Sequence, residues 1–218
     1  MDGIFPALLQ EGRRVVVPYL VRIFRACLDT GYVPTIWLQV KVVFIPKPDR
    51  NSYSGPRDFR PISLTSFLLK TMERLVNWFL RDQALALVPL HPIQHAYQAG
   101  KSLETALKQL VVWVEKVLDQ QETLGVSLDI EGACNNTSYD SVCASLVRHG
   151  VDRTIVWCIN TTLEGCLTAA TLIGFSRRVA VSRGVLSPLL WCRVVDDLIA
   201  RLDGSGIYIY IYIYRLHR

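Results

Sequence analysis

Three groups of residues in this chain have the chemistry to handle a phosphate ester. Asp129 ends the apolar run 125–130 and is followed by a small-residue turn and a polar helix start near Ser138. A strand-end carboxylate can hold a hard divalent cation such as Mg²⁺, which takes oxygen ligands and draws only one or two of them from protein. Residues 41–60 carry Lys41, Lys47, Arg50, Arg57 and Arg60 against two acids, in a stretch rich in Pro, Gly and Ser. Fixed cations suit a polyanion, and a guanidinium can grip phosphate through two parallel hydrogen bonds. Asp196 and Asp197 are an adjacent acid pair, but Leu189, Cys192, Val195 and Ile199 recur around them at helical spacing, which places the pair inside a helix. Taken singly, each group has a plainer explanation. A strand-end Asp is more often a cap or loop hydrogen-bonder, and a basic loop is more often a solvated one.

The elements that must position these groups follow from patterning. Residues 6–28 have apolar positions at mixed three and four spacing, which predicts a helix or helix pair broken at Pro18. Val40 to Ile45 is β-branched and aromatic, so it reads as a strand that stops at Pro46 and enters the basic loop. Arg60 to Leu64 is a short strand candidate. Leu68, Met72, Leu75 and Phe79, with Leu69, Val76 and Leu80 beside them, then predict a helix that is mostly core. Ser102 can cap a helix lined by Leu103, Ala106, Leu107, Leu110, Val111, Val114 and Leu118, with Glu104 in its first turn. A buried strand is expected over 125–130, helices over 138–148 and 154–163 with Gly150 ending the first, a hairpin over 167–181 and a helix over 189–202. Strands from distant parts of the sequence separated by helices make an α+β pattern.

The bulk numbers are permissive. With 218 residues, half of them hydrophobic and 20% charged, the chain is long enough for one large domain or two small ones at about 100–200 residues each. No apolar run approaches the roughly 18 residues of a membrane span, and residues 1–12 lack the basic start and continuous apolar core of a secretory signal. The expectation is an intracellular protein, nuclear or cytoplasmic, neither secreted nor in a membrane. The net charge of +5, from 24 basic and 19 acidic residues, permits a polyanionic partner without demanding one. The six cysteines form no C-x-x-C pair and have no His at metal-ligand spacing, as expected of free thiols in a reducing compartment. Residues 207–214 are a strict Ile-Tyr repeat, apolar on both faces of any strand. An alternating AT tract encodes that repeat, so simple-sequence DNA is expected to enter the frame after Gly206.

Four segments, in order, resemble the reverse transcriptase domain of non-LTR (LINE-type) retrotransposons. They are KVVFIPKPDR with DFRPISLTSFLLKTMERLV (41–50 and 58–76), QHAYQAGKSLETAL (94–107), GVSLDIEGACNNTSYDS (125–141) and SRGVLSPLLW (182–191). The resemblance implies a right-hand polymerase fragment, helix-rich, with a small and mainly antiparallel palm sheet that is incomplete at its C-terminal end. It divides the chain into a helical lead-in (1–40), a fingers-like region (41–124), a partial palm (125–206) and the Ile-Tyr tail (207–218). By position, Lys47 and Arg60 would bind the incoming triphosphate, Tyr97 would stack on a template base and Lys101 would meet a template phosphate. Asp129 would be the catalytic and metal-binding carboxylate, Cys134 the sugar-gate position and Gly184 part of the nucleotide-binding loop. RNA template, DNA primer, dNTP and Mg²⁺ are the ancestral partners and cofactor.

The chain also departs from that family. The sugar gate, where relatives carry a bulky aromatic, is Cys134, and Asn135 stands where many carry a second Asp. No Pro-Gln-Gly precedes Val185, and no Tyr-Ala-Asp-Asp box occurs. Similar VDDL wording occurs in relatives inside the helix ahead of that box, so Asp196 and Asp197 are not the missing ligands. The expectation is a truncated, degenerate reverse transcriptase domain without activity. A non-catalytic nucleic-acid-binding remnant, a pseudogene product and a group II intron maturase-type enzyme are the alternatives; the LDIEGA and LSPLLW wording favours the retrotransposon.

Overall fold

The computed structural model describes residues 6–48, 52–53, 55, 58–118, 137–165, 167–170, 176–178 and 184–202. Helices α1 (Pro6–Glu11) and α2 (Arg13–Thr30) lead in. The break predicted at Pro18 falls instead at Gly12, whose carbonyl accepts the N–H groups of Val15 and Val16. Pro18 stays within α2 on its solvent side. There the Arg14 carbonyl, deprived of its helical donor, is left to water. Helix α2 ends at Gly31, with φ +63°, and the Trp157 ring covers it so closely that an added Cβ would lie 2.5 Å from that ring.

Four strands form one mixed sheet in the order β2-β1-β3-β4: β1 (Gln39–Pro46), β2 (Phe59–Leu64), β3 (Leu167–Ala170) and β4 (Ser176–Arg178). The β3–β4 pairing is antiparallel, as expected of a hairpin, and so is that of β1 and β2, while β1 and β3 run parallel with Gln39 beside Leu167. That parallel pairing joins strands from early and late sequence and needs the long helical excursion between them. Pro61 is tolerated because β2 is an edge strand, where a missing N–H costs no ladder bond. Along β1, Val40 and Val42 are buried while Lys41, Val43 and Ile45 are exposed. One face of β1 therefore meets the core at Val40 and Val42 and the other is open, while from Val43 to Pro46 both faces are exposed.

Helix α3 (Phe67–Phe79) starts at Ser66, whose Oγ accepts the Leu69 N–H at 3.0 Å, and buries Leu68, Leu69, Met72, Glu73 and Val76. Leu75 and Phe79, expected in its core stripe, are exposed. A helix apolar on most of its circumference does not reveal in sequence which arc will be covered. It continues into a π turn (Leu80–Ala84) and a single helical turn α4 (Leu85–Leu87). Helix α5 (Leu103–Leu118) is capped by Ser102, which accepts the Thr105 N–H. Of its expected stripe Ala106 is buried, while Leu103, Leu107, Val111, Val114 and Leu118 are exposed. The strand expected over 125–130 lies outside the described residues.

Helices α6 (Tyr139–Arg148), α7 (Arg153–Gly165) and α8 (Ser187–Leu202) complete the fold, with Gly150 at φ +71° after α6. One core cluster joins Val76 and Leu80 to Val142, Leu146, Ile159, Leu189 and Leu190. A second packs Phe24, Cys27 and Trp37 against Leu69, Met72 and Cys158. Cys27, Cys143, Cys158 and Cys192 are free thiols. Burial, with Cys27 alongside, pushes the Cys158 thiol up to about 11, so it stays protonated and inert at neutral pH.

Candidate nucleic-acid interface

The β1–β2 register places the predicted cations together. Ile45 opposes Arg60, and the Lys47 N–H bonds the Asp58 carbonyl at 2.8 Å, which carries the same register one pair beyond the strands. Alternation then puts Lys41, Val43, Ile45, Lys47 and Arg60 on one face, the open one. Lys47 and Arg60 are diagonal neighbours, whose Cβ atoms lie within about 8 Å of each other. The loop that joins the strands is pinned: Tyr53 Oη donates to the Lys47 carbonyl at 2.9 Å, its ring lies 5.7 Å from that of Phe59, and Asp58 Oδ2 accepts the Gly55 N–H at 2.8 Å. The result is an apolar strip edged by three cations. Arg50 and Arg57 lie outside the described residues.

Residues 91–101 form a second structured segment, tied to α8. Gln94 Nε2 donates to the Cys192 carbonyl and to Asp196 Oδ1 at 3.1 and 3.0 Å. Lys101 Nζ donates to the Pro92 and Gln94 carbonyls at 2.7 and 2.8 Å, so two of its three N–H donors close the turn it sits in. Burial lowers its pKa, against the charge of Asp196. Tyr97 is exposed at φ +54°, and its carbonyl accepts from Arg81 Nη2 at 3.1 Å.

Gly184 lies at the approach to α8. The Val185 N–H donates to Glu73 Oε2 at 2.9 Å, and a Cβ on Gly184 would stand 2.7 Å from Glu73 Oε1. The close approach that the missing side chain permits is thus to a buried carboxylate of α3. Burial raises the Glu73 pKa, only partly offset by the Val185 N–H and by the charge of Lys70. Sequence reasoning passed over Glu73, although an acid on the buried arc between Leu69 and Val76 was the available signal.

Asp196 and Asp197 are helical, as the spacing predicted, and both are engaged. Asp196 Oδ1 accepts the His91 N–H at 2.6 Å as well as the Gln94 amide, and Oδ2 lies 3.6 Å from His149 Nε2. Burial pushes the Asp196 carboxyl up, but the hydrogen bonds from His149 and His91 and the charges of His149 and Arg193 prevail and hold it below the usual range. Asp197 pairs with Arg148. Mg²⁺ needs free carboxylate oxygens with room for water and phosphate beside them, and this pair does not fit it. Among the described residues, no three His, Cys, Asp or Glu side chains gather as a metal site. Asp129, Cys134 and Asn135 lie outside the described residues. No helix among those described is long and apolar enough to cross a membrane.

Comparison with known proteins agrees with the family resemblance. Residues 45–213 match the family described as reverse transcriptase (RNA-dependent DNA polymerase). The chain is 30% identical over 183 residues to the Pol polyprotein of the type-1 retrotransposable element R2 of Popillia japonica, covering 80% of this chain and 25% of that protein. It is 26% identical over 213 residues to the corresponding polyprotein of element R1 of Bradysia coprophila, covering 95% and 21%. It is also 26% identical over 149 residues to a probable RNA-directed DNA polymerase from transposon BS of Drosophila melanogaster, covering 68% and 16%. The chain thus spans about a quarter or less of the length of these relatives. With most of its length matched by the family and its relatives drawn from R1, R2 and similar elements, the chain belongs to the reverse transcriptases of non-LTR retrotransposons.

Proposed function

We propose that this chain is an RNA-directed DNA polymerase domain by descent, which grips nucleic acid through its β1–β2 face and does not polymerise. The convergence of Lys41, Lys47 and Arg60 on one open, loop-pinned face is the observation that supports the grip. In this reading Lys47 and Arg60 receive phosphate from the incoming nucleotide, Tyr97 and Lys101 lie against the template, and Gly184 belongs to the nucleotide-binding loop, which its contact with Glu73 anchors. RNA template, DNA primer and dNTP are the partners of the ancestral enzyme.

Two-metal nucleotidyl transfer uses Mg²⁺ ions about 3.5–4 Å apart to stabilise the attacking and leaving oxygens. Asp129 is the sole candidate ligand that the chain's motifs offer, since Asp196 and Asp197 are committed to His91, Gln94, His149 and Arg148. One carboxylate does not fix two ions. The missing Pro-Gln-Gly before Val185, and Cys134 at the sugar gate, support the same conclusion.

The test of the grip is salt dependence. Binding of a labelled RNA–DNA duplex should weaken steeply as salt rises, and Lys47→Ala with Arg60→Ala should flatten the log–log slope by about 0.7–0.9 for each phosphate no longer neutralised. An unchanged slope in the double variant would overturn the assignment.

A further inference from the structure

Helix α5 meets the rest of the fold along one side. Ala106 is buried there, Leu110 and Trp113 are half-buried, and the His95 ring nitrogens lie 3.0 and 2.7 Å from Thr105 Oγ1 and Gln109 Oε1. At 3.6 residues per turn, Leu103, Leu107, Val111, Val114 and Leu118 line a neighbouring arc about 80° wide and about 22 Å long. All five are exposed. Singly exposed apolar residues are ordinary, but a continuous stripe of them marks an interaction surface.

The stripe carries its own complement. Its steps are four, four, three and four residues, and reversal about Val111 nearly restores them. With a twofold axis beside Val111, two antiparallel copies of α5 bring Leu107 of one copy to Val114 of the other and Leu103 to Leu118. Each match holds to within one residue, about 1.5 Å along the helix. The charges obey the same reversal. Lys108 and Glu115 lie on the flank of the stripe that faces away from the fold, and in such a pair each flank meets the same flank of the other copy. Lys108 of each copy then stands against Glu115 of the other, again to within one residue. Glu115 has no cation three or four residues away in its own helix, whereas Glu104, on the same flank, has Lys108 four residues on. A twofold contact requires one patch to complement itself, and here the apolar order and the charge order do so about the same residue.

We propose that the exposed face of α5 is a self-association surface, on which a second copy of this chain docks antiparallel through its own α5. The inference stands apart from the nucleic-acid reading and uses none of its residues. One helix face on another falls below the roughly 1,200 Å² at which standard interfaces begin, which makes the contact a weak, concentration-dependent one.

The test is sedimentation equilibrium of the purified full chain from about 1 to 200 µM, a range that brackets weak association. The parent should pass from monomer to dimer. Val111→Glu sets two carboxylates together on the axis of an apolar seam and should weaken association about tenfold or more. Val112→Glu is the control. Val112 is 58% exposed against 53% for Val111, but it points about 100° further round the helix, so this variant should dimerise like the parent. Lys108→Glu and Glu115→Lys should each weaken association severalfold by setting like charges across the pair. The two together should restore it, because the exchanged charges again stand opposite. A parent that stays monomeric throughout would overturn the proposal, as would equal association by the parent and Val111→Glu. A charge-exchanged double variant no better than either single one would overturn it too. A monomeric parent whose melting temperature falls in Val111→Glu equally at both ends of the concentration range would show that the chain's own residues cover this face.

Discussion

Glu73 Oε2 accepts the Val185 N–H at 2.9 Å across 112 residues of sequence, with Gly184 so close that a Cβ there would collide with the same carboxylate. This relationship couples the helix after the basic hairpin to the loop that opens α8. It explains the glycine from within the fold. It also gives the loop a titratable anchor.

Replacing Gly184 by Ala should therefore be costly. The added methyl meets Glu73 oxygens at 2.7 and 3.0 Å, and overpacking of this kind costs roughly 1–3 kcal/mol. Chemical denaturation should show that loss in the parent background and a smaller one in Glu73→Ala, where the obstacle is gone.

The pH dependence of Glu73 has a definite sign. Its folded pKa is raised, chiefly by burial, so the carboxyl's contribution to stability is greatest below the ordinary glutamate value of about 4.3 and diminishes as pH rises through the folded pKa. Glu73→Gln keeps an acceptor for the Val185 N–H and does not ionise. Thermal melts between pH 4 and 8 should show a smaller decline on the alkaline side for Glu73→Gln than for the parent; parallel curves would refute the assignment.

Asp196 has the opposite sign. Its pKa is held down despite burial by His149, His91 and Arg193, so its stabilisation is present above about 3.9, the ordinary aspartate value, and is lost as pH falls through the folded pKa. Asp196→Ala strips the acceptor from the His91 N–H and the Gln94 amide and should cost about 3 kcal/mol in denaturant unfolding. Asp196→Asn should lose less and should flatten the acid limb.

Gly31→Ala is expected to destabilise through two effects at once. The position has φ +63°, and its Cβ would lie 2.5 Å from the Trp157 ring. Trp157→Ala should remove the steric part and leave the conformational part, and a double-mutant cycle measures the difference.

Much of the helical framework was legible because periodicity and caps are local signals. Ser66, Ser102 and Ser138 cap the helices that follow them, and Leu189, Cys192, Val195 and Ile199 form a buried arc of α8. The same arc correctly placed Asp196 and Asp197 in a helix. What was not legible depends on partners far away in sequence. The parallel β1–β3 pairing, the exposure of Leu75 and Phe79, and the contact of Glu73 with Val185 are set by tertiary packing. Pro18 misled because a proline on a solvent-facing arc loses one backbone bond without ending the helix. Of the candidate site, Lys47 and Arg60 are brought onto one face, Tyr97 and Lys101 share one turn, and Gly184 meets Glu73; Asp129 and Cys134 lie outside the described residues.

Descent from a polymerase with loss of its chemistry is tested most directly by extension of a DNA primer on an RNA template, using the purified chain with dNTPs and Mg²⁺. No product above background is expected, together with salt-sensitive binding of the same primed template. Mg²⁺-dependent extension that disappears in Asp129→Ala would contradict that loss.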